Sequence, residues 1–262
     1  MALKHQIKKI IKPLATVLLN IGIDPRKLIL LKHLPKYISQ YRHFKKLGGV
    51  ITKNRPILSD YTNQAGSASG HYFHQDLLVA SFIYNKNPRR HIDIGSRVDG
   101  FVAHVAAYRK IDVMDVRALN NTGHMNISFI KADLMNRENA EDGITDSISC
   151  LHAIEHFGLG RYGDQLDPNG HLIGFNNVLR MLSKNGTLYI SFPIGNQNEV
   201  HFNAHRVFIP NDIFTWAEDP KCIELERFDY VDDEGDLHQN VDIKYTPMNL
   251  SYGCGIYTFK KV

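Results

Sequence analysis

Cysteine is scarce in this chain, with three in 262 residues. Cys150, Cys222 and Cys254 are far apart, odd in number and form no CxxC pair. That excludes a disulfide framework and fits reduced thiols in a cytoplasmic protein. Cys150 lies in an apolar run and reads as a small core residue. Also missing is the stretch of about 20 apolar residues that a bilayer-crossing helix needs. The early run LATVLL is hemmed in by Lys12 and Asn20, with no small-residue cleavage site at a sensible distance. It reads as neither a span nor a secretory signal. No internal repeat and no low-complexity tract interrupt the pattern. Acid is nearly absent from one region: the first 50 residues hold eleven Lys or Arg and only Asp24 against them, so the remainder is net acidic. An acidic body disfavours a nucleic-acid partner, because phosphate contacts dominate that affinity. A basic leading segment points instead to a surface-binding extension.

The rest of the composition is that of an ordinary globular protein, long enough to bury a core without a disulfide or metal. Three regions follow. Residues 1–46 read as two or three short basic helices, interrupted at Pro13 and Pro25. They fit either a peripheral contact with an anionic membrane face or a helical cap with a solvated basic side. Residues 47–87 read as a loop leading into a helix over HQDLLVASFIYN, with Pro88 after its end. From 88 to 262, strand and helix periods alternate. HIDIG, KIDVMDVR, ISFIKADL, DSISCLH and TLYISFP read as strands, and FVAHVAAYR as a helix. DPNGHLIGFNNVLRMLSKNG reads as a second helix, capped by Asp167 with Pro168 in its first turn, carrying Lys184 in its last turn and stopped by Gly186. IELERFDYV and GIYTFKKV, separated by the acidic turn DDEGD, form a late antiparallel pair. The fold class is α/β, a doubly wound and mostly parallel seven-stranded sheet with an antiparallel last strand and an N-terminal helical extension.

In an open parallel sheet, ligands bind outside the carboxyl ends of the strands, at the switch point. Three strands deliver an acid there: the first at Asp93-Ile-Gly95-Ser96-Arg97, the second at Asp115, the third at Asp133-Leu134. A carboxylate accepts hydrogen bonds from a ribose diol or an exocyclic amine. Three in order make an inventory for an adenosine-like ligand.

From residue 88 onward the chain resembles the class I S-adenosylmethionine-dependent methyltransferases. HIDIGSRVDG is similar to that family's glycine loop, and DSISCLHAIEHF and VLRMLSKNGTLYISFP to its later motifs. The resemblance implies S-adenosylmethionine as cofactor, held by Asp93, Gly95, Ser96, Arg97, Asp115, Asp133 and Leu134. It places Asp115 at the ribose and Asp133 at the adenine. One departure stands out. Arg97 occupies the place of the family's second glycine, which makes the loop bulkier; Arg97 either pairs with the cofactor's carboxylate or weakens binding. The chain is also similar to an uncharacterised group of such proteins found with bacterial surface-polysaccharide enzymes.

LHAIEH, residues 151–156, contains H-x-x-E-H, the order of inverzincin metalloproteases. That site needs a continuous helix, whereas here a predicted strand runs into His152 and Phe157-Gly158 follows at once. Within the resemblance, some O-methyltransferases of ubiquinone synthesis and the small-RNA 2′-O-methyltransferases carry E-x-x-E-H here and bind a divalent ion with it. The corresponding metal set is His152, Glu155 and His156, with His201 or His205 from HFNAHRVF. Imidazoles with one carboxylate favour Zn²⁺, Mn²⁺ or Fe²⁺ over Mg²⁺. Three readings stay open: a metal that activates an acceptor hydroxyl, a metal-free base among His152, His156 and His205, or a loop support. GLGRYG, residues 158–163, reads as a mobile lid. Gly66, Gly70, His71 and His74 either line the same cleft or cap a helix. The resulting expectation is O-methylation of a sugar hydroxyl on a cell-surface glycan, in the cytoplasm or at the inner membrane face. Two other classes remain: a scaffold that has lost its cofactor, and a metal hydrolase.

Overall fold

The computed structural model describes residues 24–119, 123–245 and 249–262. The chain divides into two compact units, Met1–Ser67 and Ala68–Val262. The expected helices before residue 24 lie outside the described residues. After it come a 3-10 stretch, Pro25–His33, and helix α1, Leu34–Lys46. α1 ends on His43, Lys45 and Lys46, cations placed where the negative end of the helix dipole favours them. It buries none of its residues, and Leu28, Ile29 and Phe44 stand more than half exposed.

The second unit is a sheet covered on both faces. Its strands are β1 His91–Ile94, β2 Ile111–Asp115, β3 Ile127–Lys131, β4 Thr145–Leu151, β5 Leu182–Ile194, β6 Glu199–His201, β7 His205–Val207, β8 Ile223–Val231, β9 Leu237–His238 and β10 Gly253–Lys261. Its helices are α2 His71–Lys86, α3 Ala103–Ala106 and α4 Gly170–Met181. The main sheet runs β3-β2-β1-β4-β5-β10-β8-β9. β1 to β5 pair in parallel, and β10 is antiparallel to both β5 and β8. The seven expected strands are present, and the two-residue β9 adds an eighth at the edge. β10 is not an edge strand: it is inserted between β5 and β8.

Alternation along the strands separates the two faces. Leu188, Ile190 and Phe192 of β5 pack with Phe175 and Val178 of α4. Tyr189, between them, points to the other face with Val79 and Ile83 of α2. On β10, Cys254 and Ile256 join the α2 face while Tyr257 and Phe259 join the α4 face. Helix α2, read from sequence as preceding the core, belongs to the same unit as the sheet.

Two expectations are corrected. α4 stops at Met181 and β5 begins at Leu182, so Lys184 and Gly186 lie in the strand. Asp167 does not cap α4: its Oδ1 accepts from Asn169 N, and the N-cap position is Asn169 itself. The segment around HFNAHRVF has no element read from sequence. It folds as a separate antiparallel hairpin of β6 and β7.

Under the sheet, Phe192 stacks on Tyr257 at 4.9 Å and meets Trp216 at 5.0 Å. Phe192 has no solvent exposure, and Trp216 is the only tryptophan of the chain. Truncating Phe192 removes ring contacts and leaves a cavity. The expected outcome for Phe192→Ala is a loss of about 3–5 kcal/mol in urea unfolding followed by Trp216 emission.

Candidate active site

β1 and β4 are neighbours, yet the chain leaves β1 toward β2 on one side and β4 toward β5 on the other. Their carboxyl ends therefore flank the switch point. β1 turns at Gly95, whose φ is +74°, and a Cβ there would lie 2.9 Å from Ala153 Cβ. Glycine satisfies both demands.

Asp93 builds this turn from beneath. Register places it beside Ser149 of β4. Its Oδ1 accepts from Ser149 Oγ at 2.6 Å and Ser96 Oγ at 2.8 Å, and its Oδ2 accepts from Ser96 N at 3.0 Å. The chain of bonds continues inward. Since Ser149 gives its proton to Asp93, its oxygen accepts from His91 Nε2 at 3.1 Å, and His91 Nδ1 accepts from Ser147 Oγ at 2.8 Å. Burial, reinforced by Arg109, lowers the His91 pKa to about 3, so the ring is neutral. Burial pushes Asp93 up to about 6, against the pull of the serine bonds. Asp93 has no exposed surface and does not line the cavities beside it. Of the three strand-end acids, two reach the crevice, and the third holds the loop that shapes it.

Arg97 does not close the crevice. Its backbone, at φ −69° and ψ 131°, is extended and suits any residue, so no glycine is required there. The side chain turns outward to a bidentate pair with Asp99 at 2.7 and 3.0 Å.

Two cavities adjoin at the strand ends. The first has apolar walls from Met114, Ala132, Leu134, Ala153 and Phe157. Asp115 and Asp133 stand at its rim. Arg117 holds both Asp115 oxygens and lies 4.5 Å from the Tyr162 ring centre. Asp133 Oδ1 accepts from Met135 N. The second cavity is larger and polar, and it opens to solvent between Tyr72, Asp76, Arg97, Arg161, His205 and Tyr252. The two share Gly95, Arg117, His152, His156 and Tyr162. Ser96 lines only the second.

The H-x-x-E-H residues sit at this junction without a continuous helix. His152 directly follows β4 with φ +48°, and Ile154–His156 is one 3-10 turn. That turn brings Glu155 back beneath His152, so the inverzincin geometry is absent. Glu155 Oε1 lies 2.9 Å from His152 Nδ1 and 3.7 Å from His156 Nε2. Burial alone would lower His152, but Cys254 and Glu155 hold it well above the usual value. Burial likewise works to raise Glu155, and the His152 and His156 rings bring it below the usual value. The pair is an imidazolium and a carboxylate. His156 differs: burial lowers it, with Arg161 acting the same way against Glu155. Its Nδ1 donates to Ala204 O at 2.7 Å, which leaves an Nε2 lone pair on the side of Glu155.

His201 is not gathered into this group. Its Nε2 pairs with Glu199 at 2.6 Å and its Nδ1 lies 3.1 Å from His205 Nε2, half-exposed on the β6–β7 hairpin. His152, Glu155, His156 and His201 thus do not form one ligand cluster. The turn after His156 is tied down by Asp164, whose carboxylate accepts from the main-chain N–H groups of Gly158, Gly160 and Tyr162. It forms a fastened wall of the first cavity rather than an untethered lid. His71 stacks on His152 at 5.3 Å, whereas His74 is on the next turn of α2.

Sequence reasoning missed His91, Ser147 and Ser149, although two serines at alternate positions of an apolar strand signal a polar row on one face. It gave Arg117, Tyr162 and Asp164 no role. It also did not connect His71 and Cys254 with His152, since nothing in their spacing links them.

A family model described as "Caenorhabditis protein of unknown function, DUF268" matches residues 108–213. No curated protein matches the chain. Among solved structures, 1,6-didemethyltoxoflavin-N1-methyltransferase of Burkholderia thailandensis, with bound 1,6-didemethyltoxoflavin and S-adenosylhomocysteine, is 11% identical. The match covers 90% of this chain and 89% of that one, with a TM-score of 0.51. A Bacillus halodurans C-125 protein is 15% identical over 71% of this chain and 98% of its own, also at 0.51. The N-methyltransferase NodS of Bradyrhizobium japonicum WM9, in complex with S-adenosyl-L-homocysteine, is 12% identical over 73% and 88%, at 0.48. At such identities the likeness is one of fold: a Rossmann-like sheet of the methyltransferase type.

Asp93 gives a pH-dependent signature. Its pKa is raised from the ordinary 3.8 to about 6. Its favourable contribution is therefore full below the unfolded value and is lost as pH rises through the folded one. The stability of the wild type relative to Asp93→Asn falls by about 3 kcal/mol between about pH 4 and pH 7, measured by urea unfolding at each pH.

Proposed function

We propose that the chain is an S-adenosylmethionine-dependent methyltransferase acting on a hydroxyl of a sugar-containing acceptor, in a cell-surface glycan or its precursor. One observation carries this reading: an apolar crevice with two carboxylates at its rim opens, at the sheet's switch point, directly into a larger polar cavity. The crevice suits the flat faces of an adenine between Met114, Ala132, Leu134 and Phe157. Asp133 stands where an exocyclic amine is met. Asp115 is already paired with Arg117, but a carboxylate has about four lone-pair sites and can still accept from a ribose diol. Gly95 lets the backbone approach the ligand closely.

When bound, the cofactor supplies an activated methyl group on a sulfonium. The protein's part is alignment, worth on the order of 7–11 kcal/mol in favourable cases, and removal of the acceptor's proton. His156 suits the second task. It sits where the two cavities meet, it is neutral near pH 7, its Nδ1 is pinned by Ala204 O, and its Nε2 can take the hydroxyl proton. The Glu155 carboxylate then stabilises the imidazolium. His152, already paired as a cation, positions Glu155 instead. Tyr72 and Tyr252 offer flat faces for a sugar ring, and Gln75, Asp76 and Arg161 offer hydrogen bonds to its hydroxyls. The basic residues of 1–46 fit a peripheral contact with an anionic membrane face. The scaffold alternative depended on Arg97 obstructing the loop; that side chain pairs with Asp99 at the wall of the second cavity and does not line the first.

Calorimetry with S-adenosylhomocysteine is expected to give micromolar binding, lost in Ala132→Trp, which fills the crevice. Absence of binding in the wild type would end the methyl-donor reading. His156→Asn is expected to keep that binding while lowering kcat by about 10²–10⁴ on a glycan acceptor with a free hydroxyl. Because its pKa is lowered, wild-type activity stays flat from neutral pH upward and falls only on the acid side of the usual imidazole range.

A further inference from the structure

Behind His152 is a second group of side chains, of which the proposed reaction uses only His152. His71 comes from the first turn of α2, His152 from the end of β4 and Cys254 from the second position of β10. One ligand atom from each lies within 4.8 Å of the others. Around a tetrahedral Zn²⁺, such atoms stand about 3.3–3.6 Å apart, so a closure of about 1 Å completes the set.

The orientation of the ligands matters more than their proximity. His152 is 8% exposed, and its Nε2 is buried with no hydrogen-bond partner. Its other nitrogen, Nδ1, is held by Glu155. A metal-binding histidine is prepared in this way: a carboxylate fixes one ring nitrogen and aims the other. His71 bonds the main chain of Tyr252 and stacks on that ring at 5.5 Å. Cys254 has no exposed surface; its sulfur makes long contacts, 3.8 Å to Gln75 Oε1 and 3.7 Å to Gly255 O, and also interacts with the His152 ring. In the metal-free protein the buried Nε2 is left without a partner, which is costly. A divalent ion removes that cost. It also balances charge, because two positive charges meet the Cys254 thiolate and the Glu155 carboxylate. One soft and two imidazole ligands favour zinc over magnesium or calcium.

We propose that His71, His152 and Cys254 bind a divalent zinc-class ion that ties α2, β4 and β10 together beneath the polar cavity. Glu155 orients His152 from outside the ligand set. The site shares His152 and Glu155 with the proposed reaction, but its test depends on neither the methyl donor nor the acceptor.

Co²⁺ is the direct probe. Titrating metal-free full-length protein with Co²⁺ is expected to give one equivalent of a four-coordinate species. It would show strong visible d–d bands and a near-ultraviolet thiolate-to-cobalt band, both displaced by Zn²⁺. Cys254→Ser should remove the thiolate band, and His71→Gln should weaken binding at least tenfold. His201→Ala, on the separate hairpin, should leave the spectrum and affinity unchanged. Zinc should also raise the Tm of the wild type and not of Cys254→Ser. A wild-type spectrum without a thiolate band, or no Co²⁺ or Zn²⁺ binding at 100 µM, overturns the site. So does binding lost in His201→Ala but kept in His71→Gln. The wild-type spectrum decides the matter even if a variant fails to fold.

Discussion

The site depends on one buried carboxylate. Asp93 is sealed from solvent, and its two oxygens take three hydrogen bonds that fasten the turn after β1 to the neighbouring strand. A carboxylate in that position is costly unless it is satisfied. Here the partners are the Ser149 hydroxyl from β4 and the Ser96 hydroxyl and main-chain N–H from the turn itself. With that turn fixed, Gly95 can approach Ala153, and the crevice between the strand ends takes its shape. The His91–Ser147–Ser149 row extends the same network beneath the sheet, so the loop's position is set by the core and not by solvent.

The junction between the cavities is governed by a second buried pairing. Taking an imidazolium and a carboxylate out of water is worthwhile only when their geometry is good. The left-handed conformation of His152 makes it so. It lets the chain leave β4 and double back in one short turn, bringing Glu155 under the ring that precedes it by three residues. One carboxylate then faces two histidines with opposite behaviour: His152 held as a cation and His156 kept neutral by burial. A single acid sets two different roles for two rings of the same chemistry.

Much of this was legible in the residues. The alternating periods gave the parallel strands, and the acids at successive strand ends marked the crevice face. Asp115 and Asp133 stand on its rim for the reason the pattern suggested, since strands of a doubly wound sheet end on one side. Asp93 shares their position in the chain but not their environment, and burial cannot be read from a strand-end acid alone. The end of α4 was misread because Lys184 and Gly186 carry a helix-stop signature, while the parallel pairing of β5 with β4 recruits Leu182 onward into the strand. His201 was grouped with His156 on spacing. The β6–β7 hairpin turns it toward Glu199. His71 and Cys254 lie on either side of His152 only because β10 inserts beside β5 and α2 crosses that face. No local motif records such a meeting.

The placement of β10 has a consequence for assembly. It is flanked by β5 and β8, which both precede it in the chain and each leave it one hydrogen-bonding edge. The middle of the sheet is therefore complete only once residues 253–261 have paired. Pairing of that kind, closed late and over long separations, is slow and leaves strand edges open to other chains in the interval.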